Sequence, residues 1–280
     1  PSLNTISIIH RSNANICPSS AANTGYYAFA ASTNGGATWK KCQGPIYEPP
    51  GPILARYPSA TIYNPLGNTV ADSAYISWFG PSCSACTGSG DIWLHYLWGA
   101  SQIGNVVTPP VQNITTFTAN VASHGLIPES MSDANGIIWV SDMGYDGVDY
   151  TDTVMLSKGV WNPLTKMHDY TIMKFYAPMA TNNTGGKAYV SSNIAFNSTG
   201  LTGYLSIIGN NDYTADPDSS NNVIVYKTTN GGLTWSAPYT IDVNQADALL
   251  GGACGGNCTS AFQLDGAVDN TGDLHLELGI

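Results

Sequence analysis

The strongest constraint on the fold is a tight-turn motif that occurs twice in the chain. Residues 32–39 and 228–235 both read Ser/Thr-x-Asn-Gly-Gly-x-Thr-Trp, and each copy follows an alternating apolar run typical of a β-strand. The Asn-Gly pair favours a type I′ turn, which needs positive φ at both central residues. Each copy is therefore predicted to form a hairpin. Its return strand should start at the Thr and Trp, with the indole packed over the turn.

A second, shorter turn recurs between strand-like segments and divides the chain into units. It begins at positions 64, 133, 197 and 269, which are 69, 64 and 72 residues apart. Internal repeats of more than about 40 residues are typical of propellers. The pattern predicts four-stranded units. The short turn joins the first and second strands of a unit, and the Asn-Gly-Gly motif joins the third and fourth.

The eight-residue motif resembles the Asp-box, or BNR repeat, of sialidase-like β-propellers, where it lies on the rim between the third and fourth strands of a blade. Asn34 and Asn230 stand where that family usually has Asp, and Asn also suits such a turn. The resemblance implies an all-β fold, a β-propeller of four-stranded antiparallel blades, in which the box marks the fold and is not catalytic. Residues 56–65 also resemble part of the large secreted propellers of Bacteroidetes. The fold-motif positions are Asn34, Gly36, Trp39, Asn230, Gly232 and Trp235.

The repeats suggest blade boundaries within one propeller domain that spans residues 1–280. Blade one is expected near residues 3–50, with residues 6–10 as its first strand, and blade two near 53–115. Blade three is expected near 118–178, blade four near 187–245, and a fifth blade starts at about 261. Closed propellers contain roughly four to eight complete blades. We therefore expect about four and a half blades of a six- or seven-bladed ring, incomplete at the C-terminus, unless the N-terminal segment closes it.

Composition excludes two classes of function. The net charge is −10, with 19 acidic and 9 basic side chains, and no basic stripe is present to bind nucleic acid. No apolar run approaches the roughly 18 residues that would predict a membrane-spanning helix.

Six cysteines fall into three local pairs: Cys17 with Cys42, Cys83 with Cys86, and Cys254 with Cys258. An even number of closely spaced cysteines predicts disulfides and an oxidising location, outside the cell or at its surface. The alternative is a metal site formed by the second and third pairs. Neither of those pairs has the flanking residues of a zinc ribbon.

The sialidase resemblance implies three arginines that bind a substrate carboxylate, because guanidinium groups bind carboxylates bidentately. Arg11 and Arg56 are the only arginines, so these 280 residues cannot supply all three. Arg56 and Tyr57 precede a first strand and are expected to face the central channel, with Glu129 at the corresponding place in its own blade. Glu129 is expected to line the channel beside Asp133, Asp142 or Asp265, as one of the two carboxylates that a glycosidase pairs. Arg56 and Glu129 are thus the catalytic candidates. Arg56, Tyr57, Glu129 and Asp265 are the ligand-binding candidates, and purely structural roles are the alternative.

Two acidic loops are candidate calcium sites, because calcium binds six to eight oxygen ligands. The first contains Asp142, Asp146, Asp149 and Asp152, and the second contains Asp212, Asp216 and Asp218. Solvated acidic turns are the alternative, and no other cofactor is predicted.

Several sites fit glycosylation motifs. The N-linked motif occurs at Asn113, Asn182, Asn197 and Asn257. Ser73 and Thr153 lie in Asp-Ser/Thr-apolar triplets, which resemble the O-glycosylation motif of exported Bacteroidetes proteins.

These features favour an exported or cell-surface module that binds a glycan or a protein without catalysis. Aromatic side chains suit sugar stacking, although most should lie in the core; the tryptophans concerned are Trp78, Trp93, Trp98, Trp139 and Trp161. The alternatives are a sialidase-type glycoside hydrolase and a structural component of a surface assembly.

Overall fold

The computed structural model describes residues 3–17, 24–84, 92–116, 128–145, 150–178, 191–210, 221–256, 258–260 and 263–279. These residues form eighteen β-strands and two 3₁₀ turns, at Ala71–Ser73 and Val243–Ala246. The described ranges contain no α-helix. No helix in them is long and apolar enough to cross a membrane. The prediction of an all-β fold is confirmed.

The strands form five antiparallel sheets that follow one another along the chain. Sheet one contains β1 (Ile6–Arg11), β2 (Tyr27–Ser32) and β3 (Lys40–Tyr47). Sheet two contains β4 (Ile53–Ala55), β5 (Ser59–Tyr63), β6 (Tyr75–Ser84), β7 (Ile92–Gln102) and β8 (Gln112–Thr116). Sheet three contains β9 (Glu129–Ser132), β10 (Ile138–Tyr145), β11 (Tyr150–Asn162) and β12 (Met167–Tyr176). Sheet four contains β13 (Ser192–Phe196), β14 (Gly203–Asn210), β15 (Asn221–Thr228) and β16 (Tyr239–Ile241), and sheet five contains β17 (Leu264–Val268) and β18 (Leu274–Leu278).

Sheets three and four are complete four-stranded meanders, as the repeats predict. The short turns at 64, 133, 197 and 269 each join β5, β9, β13 or β17 to the next strand of the same sheet. These four strands also contact one another in order, β5 with β9, β9 with β13, and β13 with β17. Consecutive sheets therefore meet along a common inner edge, although the described residues do not form a closed ring.

The hydrophobic core is divided into layers between neighbouring sheets. One cluster lies between sheets one and two, a second between sheets two and three, and a third joins sheets three, four and five. Trp78 fills the first layer, with its ring 5.6 Å from that of Tyr27. Trp139 fills the third layer and stacks on Phe196 at 4.8 Å. Both indoles are fully buried. Since each large buried side chain stabilises the fold by about 1.5–3 kcal/mol, these layers hold the sheets together.

The two Asn-Gly-Gly motifs have nearly the same hydrogen bonds. The Asn34 Oδ1 accepts from the backbone N of Thr38 at 2.9 Å, and the Asn230 Oδ1 accepts from the N of Thr234 at 3.0 Å. In each copy the Asn side-chain amide also donates to the hydroxyl of that Thr. The hydroxyl of the first residue of the motif, Ser32 or Thr228, accepts from the backbone N of the second Gly. The Asn side chain thus closes the turn from within.

The backbone of the motif differs from the predicted type I′ turn. Positive φ falls on the two glycines, at 70° and 93° in the first copy and 66° and 73° in the second, and not on the Asn. The prediction that the Thr and Trp start the return strand is also wrong. Strand β3 begins one residue after Trp39, and β16 begins four residues after Trp235. The reason is that the Asn side chain accepts from a backbone N–H four residues on, which makes the connection longer than a two-residue hairpin loop.

The strand numbering of the first unit also needs correction. The motif follows the third strand of sheet four, β15, but the second strand of sheet one, β2. Strand β1 contacts β5 of the next sheet, as the second strands β10 and β14 contact β13 and β17. Residues 6–10 therefore correspond to a second strand and not to the predicted first strand.

Two predicted disulfides are present, Cys17–Cys42 and Cys254–Cys258, with Cα–Cα distances of 5.3 and 5.1 Å. The first joins the segment after β1 to β3 of the same sheet, and the second closes a loop after sheet four. Cys83 is also disulfide-bonded, and its predicted partner Cys86 lies outside the described residues. The disulfides favour the oxidising location that the cysteine count predicts.

The close packing of Gly232 on Trp139 gives a testable difference between two glycines with left-handed backbone. Substitution by alanine at Gly232 (φ +73°) or at Gly251 (φ +70°) places a side chain on left-handed backbone, which costs about 1–2 kcal/mol at either position. A Cβ at Gly232 would overlap the Trp139 ring, whereas a Cβ at Gly251 would meet no heavy atom of the described residues within 4 Å. We expect Gly232→Ala to lose about 1–3 kcal/mol more of unfolding free energy than Gly251→Ala, measured by urea denaturation. Equal losses would contradict this packing.

Candidate functional site

The first candidate site is a cavity of about 340 Å³ at the common inner edge of sheets three, four and five, called here the inner cavity. It is lined by residues of β9, β13 and β17. Glu129 comes from the first of these strands, Asn193 from the second and Asp265 from the third. The structure thus brings two predicted ligand-binding residues, Glu129 and Asp265, to one cavity.

The polar groups of the inner cavity are hydrogen-bond acceptors with few donors. The Asn193 amide Nδ2 donates to the Asp265 Oδ1 at 3.2 Å, and the backbone N of Gly266 donates to the same oxygen at 2.7 Å. The Asn193 Oδ1 is buried and has no hydrogen-bond partner among the described residues. Burial and the nearby Asp265 carboxylate raise the pKa of Glu129, because both disfavour its charged form. The inner cavity is therefore negative and rich in acceptors.

The other two predicted ligand-binding residues lie elsewhere. Arg56 is half-buried, and its guanidinium Nη1 donates to the carbonyl of Ala55 at 2.8 Å. Its own carbonyl accepts from the buried Tyr27 hydroxyl. Tyr57 is 49% exposed and has a positive φ of 42°. Arg11 lines a groove on the outer face of sheet one. Neither Arg11 nor Arg56 is among the residues that line the inner cavity.

The second candidate site is a groove of about 410 Å³ between sheets two and three, called here the rim groove. Its aromatic walls come from β6, β7 and β12: Phe79, Tyr96, Trp98 and Tyr170. Polar side chains at its exposed side are Asn113, Thr115, Thr165 and Asp169. Trp98 is half-buried, whereas Trp78 and Trp139 are completely buried. Large apolar walls with a few polar groups are typical of small-molecule sites.

His168 lies at the floor of the rim groove and is 3% exposed. Its Nδ1 is 3.2 Å from the hydroxyl of the buried Ser77, and its Nε2 has no hydrogen-bond partner among the described residues. The ring packs edge-on against Tyr63 and Trp161 at 4.9 and 5.0 Å. Burial lowers the pKa of His168 from 6.5 to about 4, and the nearby Asp169 opposes this shift. The imidazole of His168 is therefore uncharged at neutral pH.

The predicted calcium loop is only partly within the described residues. Asp142 is fully buried on β10, where its charge adds to the effect of burial in raising the pKa of Tyr96. Asp152 is half-buried on β11. Asp146 and Asp149, and the whole second acidic loop, lie outside the described residues. Among the described side chains, one group of three has metal-binding spacing: Asp247, Cys254 and Cys258. Its cysteines are joined in a disulfide and therefore offer no thiolate.

The predicted glycosylation sites differ in exposure. Asn113 is exposed on β8 at the rim groove, and Ser73 and Thr153 are half-buried. Asn197 is 8% exposed, and its Oδ1 accepts from the Thr199 hydroxyl at 2.8 Å within the turn. Asn182 and Asn257 lie outside the described residues, as does the side chain of Trp93.

Sequence reasoning missed Asn193 and the rim groove. Asn193 had a detectable signal, because Glu129, Asn193 and Asp265 each lie four residues before a short turn of the repeat. They occupy the same position in three consecutive units. The rim groove had no such signal, since its residues come from six strands and one turn of two sheets that pack face to face.

Comparison with known proteins gives no further assignment. No protein family matches the sequence, and no curated protein is significantly similar to it.

The buried His168 predicts how stability depends on pH. The unfolded chain protonates this group near 6.5, whereas the folded chain does so only near 4. The stability that the neutral buried imidazole gives the folded state is present in full above about pH 6.5. It is lost as the pH falls toward 4, by up to about 3 kcal/mol. We expect His168→Gln to flatten the decrease in unfolding free energy between pH 7 and 4.5, measured by urea denaturation. His10→Gln, a histidine change on sheet one, is the control. An unchanged slope in His168→Gln would contradict the assignment.

Proposed function

We propose that this chain is a sialidase-like β-propeller and acts as an exported, non-catalytic carbohydrate-binding module. Three observations support the propeller. The four-stranded sheets follow one another along a common inner edge, the core is layered between neighbouring sheets, and two motifs close their turns as an Asp-box would. The disulfides support export, because they persist in oxidising compartments.

The rim groove is the proposed ligand site, and its composition is the observation that carries the proposal. The apolar face of a pyranose ring packs on aromatic side chains, and here Trp98 and Tyr170 line the groove. Hydroxyl groups of a sugar need donors and acceptors at the ring edge, which Asn113 and Asp169 can supply from the exposed side. The volume of about 410 Å³ falls within the range typical of ligand pockets.

Trp98→Ala tests this site. Removal of the indole should weaken glycan binding by about tenfold or more, because aromatic anchors carry much of the energy of such contacts. Ligands are first identified on a glycan array with the 280-residue chain, and the affinities are then measured by isothermal titration calorimetry. Asp169→Asn should weaken binding through the lost acceptor.

Tyr239→Ala is the matched control, because Tyr239 is 48% exposed on β16 and is not among the residues that line the rim groove. This control should bind as the unaltered chain does. Equal loss in the control, or glycan binding that survives Trp98→Ala, would place the ligand elsewhere. A chain that binds no glycan would favour a protein ligand or a structural role.

The second candidate function is glycoside hydrolysis in the inner cavity. The observation that favours it is the Glu129 carboxyl, whose pKa is raised beside Asp265, since a hydrolase needs a protonated acid beside a second carboxylate. The absence of both arginines from the lining residues weighs against a sialidase. If the chain hydrolyses a fluorogenic sialoside, Glu129→Gln should lower kcat by about 100-fold. Lack of turnover by the unaltered chain would exclude sialoside hydrolysis by residues 1–280.

A further inference from the structure

We propose that the inner cavity binds a divalent cation, with calcium as the best-suited ion, through Glu129, Asn193 and Asp265. The three residues line one cavity but come from three different sheets. They are equivalent positions of the repeat, four residues before the turn in each unit. The repeated backbone therefore brings one oxygen-bearing side chain from each first strand to the same place.

Asn193 is the observation that points to a ligand. It is only 9% exposed, and its Oδ1 has no hydrogen-bond partner within the part of the chain that the structure describes. Its Nδ2 donates to the Asp265 carboxylate, which fixes the orientation of the amide. A buried acceptor without a partner costs about 1–3 kcal/mol, so an occupant that satisfies it is favoured.

The other groups of the cavity cannot supply that partner. Glu129 and Asp265 are acceptors when ionised, and no Lys or Arg is among the lining residues. The Ser130 hydroxyl is paired with that of Ser59 at 2.9 Å. A bound water could satisfy Asn193, but it would leave two carboxylates facing each other. A cation satisfies the amide oxygen and offsets the negative charge together.

The donor set selects the type of cation. Two carboxylates and one amide carbonyl are hard oxygen ligands, which suit calcium or magnesium and not the soft metals that cysteine binds. Calcium accepts irregular geometry and completes its six to eight ligands with water, whereas magnesium demands a near-octahedral arrangement. Three ligands from three separate strands leave room for water in a cavity of about 340 Å³.

Cation binding in the inner cavity is independent of carbohydrate binding in the rim groove, which lies between sheets two and three and shares no lining residue with the cavity. It is incompatible with the hydrolase alternative, because carboxylates that both bind a cation cannot act as proton donor and nucleophile. A cation at this place would also join the inner edges of sheets three, four and five. Calcium should therefore raise the midpoint of thermal unfolding as well as bind.

The test is calorimetric titration of the chelator-treated 280-residue chain with calcium chloride, with thermal unfolding measured in parallel. Asp265→Asn and Glu129→Gln each keep the shape of the side chain and remove one charge. We expect each to weaken calcium binding at least tenfold and the double variant to abolish both binding and the thermal shift. Circular dichroism of each variant confirms that it is folded.

Three controls make the result decisive. Glu48→Gln removes one charge from an exposed residue that does not line the cavity, and should leave the affinity unchanged. Glu277→Gln removes a charge at the position paired with Asp265 on β18 without removing a proposed ligand, and should weaken binding less than Asp265→Asn does. Asp152→Asn tests the predicted calcium loop and should also bind normally. Absence of calcium binding, equal loss in Glu277→Gln, or loss only in Asp152→Asn would each overturn the proposal.

Discussion

The structure depends on apolar contact between consecutive sheets. Each interior sheet is covered on both faces, so strands such as β13 and β15 are buried along nearly their whole length and lose the alternation typical of a half-exposed strand. Trp78 fills the layer between sheets one and two, and Trp139 fills the layer that joins sheets three, four and five. Hydrogen bonds within a sheet set the register of its strands, but burial between sheets determines how the five sheets are placed.

The repeated turn motif serves the same contact. In sheet four, Gly232 packs directly on Trp139 of sheet three, and Lys158 of sheet three donates to the carbonyl of Gly231 at 2.9 Å. Trp235 then packs edge-on against Trp139, with ring centroids 6.3 Å apart. Trp39 differs, because it lines a groove on the outer face of sheet one, where the described residues contain no further sheet. The motif therefore closes its own turn in both copies, and in sheet four it also docks the turn on the neighbouring sheet.

Much of this architecture could be predicted from local chemistry. The short turns determine their own backbone, so the sheet boundaries, and the first-to-second strand connections of sheets two to five, were predicted correctly. The predicted backbone of the motif was wrong at Asn34, because its side chain replaces a backbone interaction and moves positive φ to the two glycines. The assignment of residues 6–10 failed because strand order depends on pairing between distant segments. The rim groove could not be predicted, since Trp98 and Tyr170 meet only after two sheets pack.

The equivalence of Glu129, Asn193 and Asp265 has a consequence for how such a chain can diversify. Each side chain projects from the inner edge of its own sheet, while the tryptophan layers lie between the sheets. Because Glu129 and Asp265 are exposed, a substitution at either position alters the chemistry of the inner cavity without repacking a layer between the sheets. Duplication of a unit would add one more such position, so the chemistry of the cavity edge and the packing between the sheets can change separately in evolution.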